Sequence, residues 1–206
     1  VDIASWQALA QKGSTHSGDF TISDNGSYTL GAPDHVGVIE GRLLVSGNAT
    51  INLAGPLWIR GAGGNSLEIS SNPRFILNDD VAQSVIINDG RLVFSGNARF
   101  ETEEDDSDLL VYTSAPGVDN PDFQAVSINA NTRFIRSALY AEHGQINIGQ
   151  SASGLSITSF TAQRLFINSN ASIEYSEGLI DATFIPSGPT GGNFTVMPGS
   201  YQVLIP

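Results

Sequence analysis

The densest run of ionisable groups is ETEEDDSD, Glu101–Asp108, with six carboxylates in eight residues. Carboxylate oxygens are hard ligands that suit Ca²⁺. Glu103, Glu104, Asp105, Asp106 and Asp108 are therefore candidate ligands for a calcium ion. The run lacks the D-x-[DN]-x-[DN]-G order of a calcium loop and the glycine-rich nonapeptide of calcium-binding β-rolls. Its first expectation is a solvated loop. A second acidic pair, Asp79–Asp80, follows an apolar run and offers the two carboxylates that glycan cleavage requires, although acids directly after Asn78 also read as a turn. His16, His35 and His143 lie far apart, without the H-x-x-H or H-x₃-H spacing of a zinc site. No G-x-S-x-G is present either. No residue stands out as catalytic, and Ca²⁺ is the one cofactor the residue types suggest.

Composition narrows the partners. The 206 residues carry a net charge of −12, with 9 basic residues against 21 acidic ones, and only Lys12 is a lysine. Nucleic-acid binding relies on clustered cations and is disfavoured. The absence of cysteine excludes a disulfide framework and thiolate metal sites. No apolar stretch approaches the length of a membrane span. The chain begins at Val1, which suggests a processed or excised form. Trp6, Trp58, Phe123 and Tyr140 are candidates for stacking on sugars, with core or edge packing the simpler role.

The elements that would position these groups emerge from a repeat. LLVSGNATI, LEISSNPRF, LVFSGNARF, VSINANTRF and LFINSNASI share an apolar residue at every second position, then a small polar turn, then another apolar residue. Asn25, Asn48, Asn72, Asn97, Asn131 and Asn170 fall in one slot of that turn, and Gln150 takes it in the weakest copy. Alternation with period two indicates strands. Asn and Gly tolerate the left-handed backbone of a sharp turn. Units of about twenty to twenty-five residues with short strands indicate a parallel β-solenoid. An antiparallel sandwich repeats its turns at shorter intervals and gives no reason for one Asn slot to recur. Stacked coils would place the Asn residues above one another as a buried ladder, each amide bonded to its neighbours. The N-x-[ST] triplets at Asn25, Asn48 and Asn170 then have a structural explanation. Arg74, Arg99 and Arg133 each follow the Asn by two residues and should form a column beside the turn. Such a column would offset nearby carboxylates or dock an acidic partner.

The segments GPLWIRG, SVIINDGRLVFSGNARF, ALYAEHGQINI and ITSFTAQRLFINSNASIEYSEGL resemble an uncharacterised bacterial family of extracellular β-helical repeat domains. Some members of that family occur in type IV pilus accessory, minor-pilin-like proteins. The resemblance runs from about Gly37 to Leu179. It implies an extracellular location and carries no catalytic residues across.

The sequence thus predicts an all-β single domain, a right-handed parallel β-helix of about seven coils. Residues 1–19 form an N-terminal cap with a short helix over the first coil, residues 20–180 form the coils with an acidic and Pro-rich insert at 101–123, and residues 181–206 form a C-terminal tail. The right hand follows from the crossover rule. The expected role is a structural or adhesive solenoid at the cell surface or in a pilus-type appendage. It would contact a protein or glycan, or associate with itself through the solenoid ends. A polysaccharide-active β-helical enzyme and a calcium-dependent binding module are the alternatives.

Overall fold

A computed structural model describes residues 1–61, 64–78, 80–102, 107–115, 120, 122–135, 137–149, 155–157, 159–168 and 173–175. Apart from helix α1 (Ile3–Ala10), the regular structure is short strands stacked in parallel on three faces. The first face carries Ser14–Ser17, Val36–Glu40, Leu57–Ile59, Gln83–Asn88, Asp108–Thr113, Ser137–Ala141 and Ser159–Thr161. The second carries Phe20–Ile22, Leu43–Val45, Asn65–Ile69, Arg91–Phe94, Gln124–Ile128, Gln145–Ile148 and Arg164–Ile167. The third carries Ser27–Leu30, Thr50–Leu53, Arg74–Leu77, Arg99–Thr102, Arg133–Phe134, Leu155–Ile157 and Ile173–Tyr175. The chain visits the faces in rotation and each strand pairs with its equivalent one coil away, so the fold is a β-solenoid.

Alternation explains the interior. In Leu43–Val45 and Arg91–Phe94 every second side chain is buried. In-register pairing stacks Ile22, Val45, Ile69, Phe94, Ile128 and Ile148 in one column. On the third face Phe75, Phe100 and Phe134 stack with ring centroids 4.7 and 4.9 Å apart and planes within 12° and 4°. Phe94 meets two of these rings edge-on, at 5.7 and 5.8 Å.

Three expectations are corrected. First, the buried column makes about five turns, from Ile22 to Ile148, rather than seven. The next residue in register, Ile167, is 46% exposed, so among the described residues the buried column ends at Ile148. The parallel stacking follows directly from the strand register.

Second, helix α1 covers a flank and not the end of the stack. The strands Gln83–Asn88 and Asp108–Thr113 are apolar on both sides. Ile86, Leu109 and Val111 fill the interior, while Val85, Ile87, Leu110 and Tyr112 face outward. Trp6 packs on that outward patch and is buried there, as is characteristic of parallel sheets covered on both faces. Asp2 caps the helix, accepting from Ser5 N at 3.1 Å and from Ser5 Oγ at 2.6 Å.

Third, residues 101–123 are not one insert. Glu101 and Thr102 end a third-face strand, and Asp108–Thr113 is a buried strand in register with Gln83–Asn88. The β-prone run LLVYT within it supplies the reason.

The small turn joins the second face to the third. Each turn rests directly on the one before: a Cβ at Gly47 would collide with the Asp24 carbonyl, and one at Gly96 with the Ser71 carbonyl. Glycine in SGN is a matter of coil-to-coil clearance.

Candidate functional site

The turn places the Asn slot on the outside. Asn25, Asn48, Asn72, Asn97 and Asn131 are exposed, contrary to the expected burial, because the side chain projects from the corner and the following residue turns inward. They are nevertheless linked from coil to coil. Asn48 Nδ2 donates to Asn25 Oδ1 at 3.2 Å, Asn72 Nδ2 to Asn48 Oδ1 at 2.9 Å, and Asn97 Nδ2 to Asn72 Oδ1 at 2.9 Å. Backbone N–H groups join the same acceptors: Asn48 N reaches Asn25 Oδ1 at 3.1 Å and Asn131 N reaches Asn97 Oδ1 at 3.1 Å. Asn170 lies outside the described residues.

Two residues further on, the chain has alternated back to the outside. Arg74, Arg99 and Arg133 are exposed and in direct register, with Thr50 below and Ser156 above. Strand spacing sets them about 4.8 Å apart. The Asn row and the Arg row form the two walls of an open groove of about 540 Å³ lined by Asn72, Arg74, Asn97, Arg99, Asn131 and Arg133. Between the rows in sequence, Pro73, Ala98 and Thr132 are buried.

The partners of these arginines differ. Arg74 is held by Glu101, with Nε donating at 2.6 Å and Nη2 at 2.5 Å. Elsewhere Arg42 pairs with Asp19 at 2.6 Å, Arg60 with Glu40 at 3.3 Å, and Arg164 with Asp122. Among the described residues no carboxylate pairs with Arg99 or Arg133. Two neighbouring guanidinium groups therefore have no ion-pair partner among the described residues, on a chain of net charge −12.

A second constellation, on the outer side of the first face, joins two of the aromatic candidates, Trp58 and Tyr140, with Asp89, Tyr112 and Glu142, which the sequence did not single out. Trp58, Ile87, Tyr112 and Tyr140 lie in register. Tyr112 and Tyr140 stack at 5.6 Å, Arg60 lies 4.7 Å over the Trp58 ring, and Trp58 Nε1 donates to Asp89 Oδ1 at 3.0 Å. Burial raises the Asp89 carboxyl above its ordinary value, against the opposing pull of Trp58 and Arg60. Burial raises the Tyr112 hydroxyl too, reinforced by its hydrogen bond to Glu142. The sequence signal was the WIR and LYAE tripeptide and tetrapeptide at one strand position, legible only once the register is known.

The remaining candidates do not converge. Glu103, Glu104, Asp105, Asp106 and Asp79 lie outside the described residues, Asp80 is exposed in a turn, and Asp108 is buried at the start of its strand. His16 packs edge-on against Phe20 at 4.9 Å, His35 is exposed, and His143 sits 3.9 Å from Glu142. Among the described residues no group of three His, Asp or Glu is arranged to hold a metal ion. Of the aromatic candidates, Trp6 is buried under α1, and Phe123 packs on the core with Arg91 6.0 Å from its ring. No described helix is long and apolar enough to cross a membrane.

The chain matches no protein-family model, and no significant similarity links it to a curated protein or to a solved structure.

Proposed function

We propose that this β-solenoid is a non-enzymatic structural and adhesive element of an extracellular surface, carried on a cell envelope or a pilus-type appendage. The observation that carries this reading is the exposed corner. Identical side chains recur there at one-coil intervals on a rigid stack, a surface suited to a partner that is itself repetitive. The resemblance of GPLWIRG and ALYAEHGQINI to extracellular repeat domains supports the location. Association through the solenoid end is supported by Leu165, Phe166 and Ile167, which are 45%, 47% and 46% exposed on the last described strand of the second face. An apolar strand at the end of a stack invites either a covering segment or another molecule. The C-terminal tail expected at 181–206 lies outside the described residues.

Antibody labelling of intact, unpermeabilised source cells tests the reading. Surface labelling, together with loss of cell or surface attachment on deleting the gene, is the expected result. Labelling confined to lysed cells would overturn it.

One observation favours a polysaccharide-active enzyme as the second reading. Asp89, raised by burial and set beside Trp58, has the environment of a general acid next to a sugar platform. A screen of neutral and acidic glycans for new reducing ends or unsaturated products separates the two. Turnover abolished by Asp89→Asn would establish the enzyme.

A further inference from the structure

The geometry points to the Arg74–Arg99–Arg133 row as a binding site for a linear carboxylated polysaccharide. The proposal rests on the adhesive reading above and names its partner.

The row places three positive side chains on one line of a chain whose net charge is −12. Unit charges at a separation near one strand spacing repel one another even in water. Arg74 is relieved by Glu101, but Arg99 and Arg133 have no described carboxylate partner. Like charges held in register by the fold, with no partner among the described carboxylates, create a demand that an external anion meets. A guanidinium presents paired N–H donors that match a carboxylate in a bidentate fashion.

The spacing selects the shape of the anion. The three arginines lie on one line, perpendicular to the strands, over about 10 Å. A single compact anion satisfies one or two of them. A chain with carboxylates at successive units, laid along the solenoid axis, satisfies the row. The opposite wall adds the second selection. The side-chain amides of Asn72 and Asn97 supply donors and acceptors along the same groove, a lining matched to the hydroxyls of a sugar chain.

Two other polyanions fit less well. An acidic peptide commonly binds by adding a strand to a free sheet edge. Arg74–Leu77 and Arg99–Thr102 are paired on both sides, so the groove offers no such edge. Nucleic acid carries a charge at every phosphate and relies on clustered cations over a wide face, whereas this chain has 9 basic residues against 21 acidic ones.

The test is titration of the full chain with fluorescently labelled alginate oligomers, read by anisotropy at low ionic strength in a chelator, so that no cation bridges acid to acid. Neutral dextran and poly-L-glutamate are run beside it. Alginate should bind, dextran should not, and poly-L-glutamate should bind more weakly. The double variant Arg99→Gln/Arg133→Gln should weaken alginate binding about tenfold or more, since each loses a charge-assisted contact. Arg42→Gln, which removes an exposed ion pair elsewhere, should leave it unchanged. Raising the salt should weaken binding, as expected for exposed charges. Circular dichroism and melting of each variant separate lost binding from lost fold. Absence of alginate binding, or binding unchanged in the double variant, overturns the site. Equal binding of dextran overturns the role of charge, and tighter binding of poly-L-glutamate overturns the glycan. Each of these outcomes leaves cell-surface labelling untouched, so failure of the ligand and failure of the adhesive reading are told apart.

Discussion

Among the described residues Phe100 is the most connected aromatic side chain of the core, stacked between Phe75 and Phe134 and touched edge-on by Phe94. Truncation to alanine removes contacts on both sides within a stack that cannot collapse independently of its neighbours. Phe100→Ala should cost about 3–5 kcal/mol, measured by denaturant unfolding. The Asn ladder is a different case. Because Asn97 is exposed, water replaces a lost partner, and Asn97→Ala should cost only about 0.5–1.5 kcal/mol by the same measurement. Tyr112 sets an alkaline limit. Its hydroxyl is held above the ordinary value of 10.0 by burial and by Glu142. Below about pH 10 the residue is neutral whether folded or unfolded, and its contribution to stability is complete. As pH rises further the unfolded chain releases the proton first, so stability falls until the native hydroxyl ionises. Tyr112→Phe should flatten the loss of melting temperature above about pH 10.

Helix α1 acts as a lateral cover. Its hydrophobic contribution is concentrated in Trp6 over Val85, Ile87, Leu110 and Tyr112. Trp6→Ala should therefore cost about 3–5 kcal/mol. Hydrogen exchange gives the sharper reading: amides of Gln83–Asn88 and Asp108–Thr113 should lose protection, and those of Phe20–Ile22 should not. Faster exchange centred on Phe20–Ile22 would instead mark the helix as an end cap. The strand Asp108–Thr113 carries a related lesson. An acidic neighbourhood made it read as part of a loop, whereas its own apolar residues place it between Gln83–Asn88 and Ser137–Ala141.

At the scale of the molecule, stability is distributed over coils that touch only their neighbours. The buried column ends near Ile148, and the strand Arg164–Ile167 beyond it is exposed. Replacing Phe166 with Asp should lower any concentration-dependent association, followed by light scattering, while leaving the melting of the central coils unchanged. Calcium provides a second whole-molecule check on the acidic run Glu101–Asp108. Addition of a chelator should not alter the melting temperature if that run is a solvated loop. A chelator-sensitive transition restored by Ca²⁺ would assign the run a structural ion.

By itself the sequence determined the repeat, the parallel solenoid and the interior column. Period-two apolarity and a recurring turn are local properties, and stacking equivalent residues is the one arrangement that buries every copy alike. The register of Arg74, Arg99 and Arg133 was legible for the same reason: a fixed offset from Asn survives stacking. Tertiary structure decided what depends on direction and on distant neighbours. Whether Asn97 faces in or out is a matter of how the corner turns. That α1 lies on a flank follows from outward apolar residues three coils away. The grouping of Trp58, Asp89, Tyr112 and Glu142 spans coils of unequal length, so no constant spacing announced it. That no described carboxylate pairs with Arg99 or Arg133 likewise depends on where the chain sends its acids, a three-dimensional property that the order of residues does not display.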